Sequence, residues 1–259
     1  MLRGTGPDGT ISAEDVQAFA DGKTVASTKA ATTNQALSPI ARLMAERTTQ
    51  SWIQVPHFFV SRDVDCTELL KAHKSLGAAI EEKHHARLSL TDLLVGLVAR
   101  VLTKHPRINA TWKDGGIHFN QDVNISVAMA VKDGVVSAVI HNPHKLQLAD
   151  ICLQRQELTE HARANRLRPA DIAGGTFTIS NLGMYGVDSF TAIIPPLQAA
   201  ILAAGGISDR VVAIEGKAAV RPTMTLTLSS DHRVIDGARA AEFLGDLSAA
   251  IADPGKWLE

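Results

Sequence analysis

The stretch Leu228-Ser229-Ser230-Asp231-His232-Arg233-Val234-Ile235-Asp236-Gly237 sets a histidine, two carboxylates and a glycine side by side. An imidazole held in one orientation can serve as a general base near neutral pH. The flanks supply the means of holding it. Met224 to Leu228 is rich in strand-forming residues, and Ala238 to Ile251 carries apolar residues at helical spacing, so the cluster falls on a strand-to-helix connection with rigid elements on both sides. The same residue types also describe an ordinary capped turn, and the turn taken alone leaves both readings open.

A second stretch bears on the choice: Gly174-Gly175-Thr176-Phe177-Thr178-Ile179-Ser180-Asn181-Leu182-Gly183-Met184-Tyr185-Gly186. Together with Asp-His-Arg-Val-Ile-Asp-Gly at 231–237, and in the same order, it resembles the two signatures of the acyltransferase components of 2-oxo acid dehydrogenase complexes, the dihydrolipoamide acyltransferases. The resemblance implies transfer of an acyl group between the dihydrolipoyl thiol and coenzyme A, both as substrates and without an acyl-enzyme. His232 is then the base that takes the proton of the attacking thiol; thiol and imidazole pKa values of roughly 8.5 and 6.5 lie close enough for that. Ser180 matches the position whose hydroxyl donates to the oxyanion, supplied in relatives by the neighbouring subunit. Asp236 takes an orienting or ion-pairing role that fixes the loop. Asp231 and Arg233 are read as structural, pairing with neighbours or across a subunit contact.

Composition narrows the alternatives. The chain has 259 residues, 45% of them hydrophobic, enough to bury a sizeable core. Lys plus Arg number 26 against 27 for Asp plus Glu, so the basic excess that nucleic-acid binding requires is missing. The start has no apolar core of signal-peptide length, and the longest apolar run, Ala192 to Ala204, is interrupted by Pro195 and Pro196. No nucleic-acid or membrane partner is expected, and the expected location is cytoplasmic. Cys66 and Cys152 stand in no metal or redox spacing and read as two ordinary, partly buried thiols. His84-His85 and His141-Asn142-Pro143-His144 lack the companions of a metal site, and no metal is expected. His57, after Pro56, reads as a strand histidine that packs with one nitrogen satisfied.

Residues 21–36 are small and polar without sustained periodicity, which reads as a linker. Before it, residues 1–20 hold a glycine loop and a short helix with Ser12 as cap. This part resembles the C-terminal half of a peripheral-subunit-binding domain and is too short to bury a core, so it is expected to fray. Thr10 stands where the family usually has an arginine. The chain reads as a truncated or shortened relative, with the lipoyl group supplied by a lipoyl domain outside it.

From residue 37 to 259 the pattern is α+β. Ser38-Pro39 opens a helix to about Gln50, Val55 to Asp65 is a strand, and Thr67 to Ala79 is helical. Thr91 to Lys104 is a buried helix, Trp112 to Ile140 holds two or three strands, and Asp150 to Ala164 is helical. Thr176 to Ser180, Ala199 to Ala204 and Met224 to Leu228 complete a mixed or mainly antiparallel sheet. This agrees with the chloramphenicol-acetyltransferase-like two-layer fold that the resemblance implies.

The resemblance also implies a homotrimer, joined into a larger cubic or dodecahedral core, with decarboxylase and dihydrolipoamide dehydrogenase components as partners. Asp253 to Glu259 is a candidate anchor between trimers. The serine motif is closest to acetyl-transferring members, with branched-chain or succinyl substrates as the alternative. Three departures stand out: Ile193-Ile194-Pro195-Pro196 lacks a usual asparagine, Ala138 replaces a strand proline, and Arg42 is displaced by one residue from the usual arginine. Trp52 stands where relatives often carry a polar residue. The competing readings are a core-forming scaffold without activity and, last, a free-standing acetyltransferase of the chloramphenicol type.

Overall fold

In the computed structural model residues 4–22, 36–132 and 134–258 are described, so the linker read over residues 21–36 lies almost wholly outside them. The chain divides into two units, Met1–Leu37 and Ser38–Glu259. In the first, α1 (Ala13–Ala20) starts at Ser12, and Ser12 and Asp15 exchange side chain-to-backbone hydrogen bonds in a capping box. Thr5 donates twice more to the Asp15 carboxylate, hydroxyl at 2.6 Å and backbone at 2.9 Å, and these bonds hold its pKa down to about 2. These hydrogen bonds close the segment locally around one carboxylate.

The second unit begins with α2 (Pro39–Gln54), capped by the Ser38 hydroxyl with Pro39 at its first position. Then come β1 (His57–Asp65), α3 (Thr67–His84), α4 (Leu90–Leu102) and a small hairpin, β2 (Ala110–Lys113) with β3 (Gly116–Phe119). β4 (Asn124–Val131), β5 (Gly134–His141), α5 (Leu148–Arg163), α6 (Pro169–Ile172) and β6 (Phe177–Asn181) follow. β7 (Ala200–Ala204), β8 (Ser208–Ile214), β9 (Lys217–Asp231), α7 (Gly237–Ala252) and α8 (Gly255–Leu258) close the chain. The large sheet runs β1-β9-β7-β6-β4-β5, with β8 paired to the first half of β9. β6 is parallel to both β4 and β7 and the remaining pairs are antiparallel, so the sheet is mixed, as expected.

Alternation sets the layers. Ile125, Phe177, Ile179, Leu202, Leu226 and Leu228 are buried, and Phe177 meets Phe243 of α7 at 5.9 Å between ring centroids. Each such side chain stabilises the fold by about 1.5–3 kcal/mol. α4 is buried nearly all round, starts in a Ser89–Asp92 capping box, and is tied to α5 by the forked bonds of Arg155 to Asp92 at 2.8 and 3.0 Å. The opposite side of the sheet is buried too but polar: Ser126, Thr178, Thr227 and Ser229 are covered, and Thr178 donates to Gln198 at 2.6 Å.

Both thiols are fully buried rather than partly so. Burial pushes Cys66 up to about 12 and Cys152 up to about 11. At the C-terminus Leu258 is buried in its own chain over Gly96, where an added Cβ would come within 2.8 Å of its Cδ2, and Lys104 lies over the Trp257 ring at 4.1 Å. Of the residues read as an anchor between trimers, Leu258 is seated here on α4 of its own chain. No helix among the described residues is long and apolar enough to cross a membrane.

Candidate active site

β9 ends at Asp231 and α7 begins at Gly237, and the turn between them is pinned at nearly every position. Asp231 N–H donates to the Ala199 carbonyl at 2.8 Å and His232 N–H to the Pro56 carbonyl at 3.0 Å. Val234 and Ile235 N–H both donate to the Asp231 carbonyl at 2.9 Å, and their side chains are sunk in the core. Arg107 reaches the Val234 carbonyl at 3.2 Å.

Asp231 and Arg233 pair with each other inside this turn. The Asp231 carboxylate, 2% exposed, takes Arg233 Nε at 2.9 Å and Nη2 at 2.7 Å, and the Arg233 backbone N–H at 3.0 Å. Asp231 raises the Arg233 pKa. The guanidinium lies 5.2 Å from the Trp112 ring centroid, a cation–π contact that ties the turn to the β2–β3 hairpin. His232, between these two charges in sequence, is exposed. Its ring sits edge-on to Phe58, centroids 4.8 Å apart, and makes no hydrogen bond to another described residue. The imidazole is therefore oriented by packing and by its backbone, with neither ring nitrogen bonded among the described residues.

Asp236 does not reach it. Its carboxylate caps α7, accepting the Arg239 N–H at 2.9 Å and pairing with the Arg239 guanidinium, and that backbone bond holds its pKa below the ordinary carboxylate range. Of the two roles expected of Asp236, orienting or ion-pairing, the geometry shows an ion pair with Arg239 and a cap that fixes the start of the helix following the turn.

Ser180 sits one residue from the end of β6, half-buried, opposite Ala203 of β7. Beyond it Asn181 accepts the Gly183 N–H at 2.9 Å and donates to Thr91 at 3.2 Å. Gly183 is required by close approach, since a Cβ there would stand 2.9 Å from the Gly205 carbonyl oxygen, and Gly186 by its φ of +71°. Met184 and Tyr185 project into solvent.

The register measures how far apart the two chemical groups are. Ser180 lies opposite Ala203, and Ala203 opposite Thr227, five residues before His232. Five residues at about 3.3 Å and two strand spacings of about 4.8 Å put their backbones on the order of 19 Å apart. Within one chain the serine and the histidine do not share a site.

His57 differs from its expected packing role, since both of its ring nitrogens are bonded, to Val55 and to Ile194. Arg107, Trp112 and Ser51 carried no sequence signal, because their partners lie far along the chain. Among the described residues no group of three histidine, cysteine or acidic side chains is placed to hold a metal.

Residues 29–259 match the family described as 2-oxoacid dehydrogenases acyltransferase (catalytic domain). The chain is 35% identical over 263 residues to the dihydrolipoyllysine-residue acetyltransferase component of the pyruvate dehydrogenase complex of Rickettsia bellii, covering 99% of this chain but 63% of that protein. It thus spans less than two thirds of that relative's length. Among solved structures, a dihydrolipoamide acetyltransferase of Azotobacter vinelandii superposes with a TM-score of 0.83 at 30% identity, covering 93% of this chain and 97% of its own. In that protein the roles of a serine, a histidine fifty-two residues later and an asparagine four residues further on in the catalytic mechanism were investigated. The cubic core of a pyruvate dehydrogenase multienzyme complex superposes equally well, at 0.83 and 30% identity over the same shares. A chloramphenicol acetyltransferase, at a TM-score of 0.52, 15% identity and 80% and 94% coverage, shows the shared fold.

Proposed function

The chain belongs to the acyltransferase family of the 2-oxoacid dehydrogenases, through its catalytic domain, and from that premise we propose that it transfers an acyl group, acetyl first, between a dihydrolipoyl thiol and coenzyme A at a site built by two copies. The observation that carries the shared site is the register: a free imidazole at one end of β9 and a serine hydroxyl two strands away and five residues off. Ser180, His232 and Asp236 also repeat the intervals of fifty-two and four that separate the serine, histidine and asparagine investigated in the Azotobacter vinelandii enzyme. The third of these is an aspartate here.

In the proposed reaction His232 removes the proton of the attacking thiol as its sulfur bonds to the thioester carbon. The carbonyl oxygen gains the electron pair, and Ser180 of the neighbouring copy donates a hydrogen bond to it. Collapse of that intermediate breaks the original carbon–sulfur bond, and the imidazolium returns its proton to the departing thiolate. The locked turn contributes by holding the base still, so that little reorganisation is needed as charge develops.

Self-association is supported by large apolar side chains left exposed, among them Trp52 and Ile53 on α2, Leu197, and Met184 and Tyr185 beside the serine. A homotrimer, assembled into a larger core that receives lipoyl domains and works with decarboxylase and dihydrolipoamide dehydrogenase components, is the assembly this reading calls for. Sedimentation of the chain together with a transfer assay using acetyl-coenzyme A and free dihydrolipoamide tests it. A trimer with turnover supports the proposal; a folded trimer without turnover favours the core-forming scaffold, and a monomer rejects the shared site.

A further inference from the structure

His57 is held more closely than a packing residue needs to be. Its Nδ1 lies 2.9 Å from the Val55 carbonyl oxygen and its Nε2 3.1 Å from the Ile194 backbone nitrogen. A carbonyl only accepts and an amide N–H only donates, so the ring is the neutral tautomer with its proton on Nδ1. Trp52 and Phe59 flank it, with centroids 5.1 and 6.1 Å away. Ile194 is held from its other side as well: its carbonyl accepts the hydroxyl of Ser51, a buried residue near the end of α2, at 2.5 Å.

The neighbours of these residues lead to the base. Pro56, directly before His57, accepts the His232 N–H, and Ala199, at the far end of the segment that Ile194 begins, accepts the Asp231 N–H. Between the two anchors Leu197 has φ of +69°, a left-handed conformation that a leucine keeps only where its surroundings impose it. Segment 194–199, folded into a turn in which the Gln198 N–H donates to the Pro195 carbonyl at 3.2 Å, is thus clamped at both ends to the elements that hold His232.

We propose that His57, assisted by Ser51, is a positioning residue of the transfer site, which fixes segment 194–199 against the His232 turn through the backbone of Ile194. It touches no reacting atom and acts by limiting how far the wall beside the base can move. This rests on the acyl-transfer reading above. Because misplacement on the scale of 1 Å can cost about a hundredfold in rate, loosening the clamp lowers turnover more than binding.

The test uses the assembled full chain. In the wild type, the imidazole ¹⁵N shifts of His57 report a protonated Nδ1 and a bare Nε2. His57→Phe keeps the ring between Trp52 and Phe59 but removes both bonds, and lowers kcat about ten- to a hundredfold with KM for acetyl-coenzyme A within about twofold. His57→Gln, whose amide oxygen can accept the Ile194 N–H, recovers part of the loss. Ser51→Ala lowers kcat less, and the double variant is no worse than His57→Phe alone, as for two residues acting on one group. Sedimentation confirms that each variant assembles. A wild-type kcat in His57→Phe, a loss confined to KM, or a proton on Nε2 overturns the positioning role while leaving the transfer reading intact. A wild type that shows the Nδ1 proton but no transfer overturns the transfer reading, and the positioning role with it.

Discussion

The two groups proposed to share the chemistry are held in opposite ways. Around His232 the backbone is tied by Pro56, Ala199 and Arg107, and an ion pair between the buried Asp231 carboxylate and the exposed Arg233 guanidinium closes the turn. Around Ser180 the fixation is glycine against backbone at Gly183 and Gly205, charged side chains are missing from the 180–187 segment, and exposed Met184 and Tyr185 stand alongside. The histidine's surroundings are finished by one chain and the serine's are left open, which is what a site divided between copies requires of its two halves.

The largest expected effect comes from the finished half. His232→Ala lowers the transfer rate by about 10²–10⁴ while the circular dichroism and the sedimentation of the assembly stay as in the wild type, since the ring is exposed and makes no hydrogen bond to a described residue. Ser180→Ala costs about 2.7–4 kcal/mol of transition-state stabilisation, read as a fall in kcat. An equal fall from Thr227→Ala, on β9 at the register position level with Ser180, would blur the distinction between the halves.

The ion pair sharpens the contrast on the stability side. Arg233→Ala leaves the buried Asp231 carboxylate with only the backbone N–H of residue 233 and is expected to destabilise by about 1–3 kcal/mol in denaturant unfolding. Met184→Ala, on the open half, is expected to change stability little and assembly more. A smaller effect follows from the thiols. Burial raises the pKa of Cys66 to about 12 and of Cys152 to about 11. Each therefore favours the folded state fully below the ordinary thiol pKa, and this contribution fades as pH rises toward those values. Unfolding midpoints should fall on the alkaline side, and a Cys66→Ala, Cys152→Ala variant should lose that part of the fall. The smallest effect is expected of Asp236→Asn, because asparagine caps a helix as well as aspartate does. Activity stays near wild type, whereas Asp236→Ala lowers the melting temperature.

Much of the closed half was readable in the sequence. The strand to Leu228, the helix from Ala238 and the polar turn between them all carry local patterns, and each is present. β8 and the first half of β9 escaped notice because their side chains are mostly exposed and Pro222 interrupts them, so no buried alternation marks the hairpin. The capping of α7 by Asp236 was missed, since a carboxylate four residues after a histidine suits either role. The bonds from Ser51 and His57 to Ile194, and from Arg107 to Val234, join residues more than a hundred positions apart and follow no periodicity. Tertiary hydrogen bonds of this kind become visible only once the sheet register is known.

The division of the site is tested most directly by mixing two inactive variants. Ser180→Ala and His232→Ala chains, dissociated and reassembled together in equal amounts, form some interfaces where an intact His232 faces an intact Ser180. In random closed trimers about a quarter of the interfaces are of this kind. The mixture is expected to recover transfer activity toward that fraction of wild type. Activity no greater than the average of the two separate variants, in assemblies shown to have exchanged subunits, would contradict the shared site.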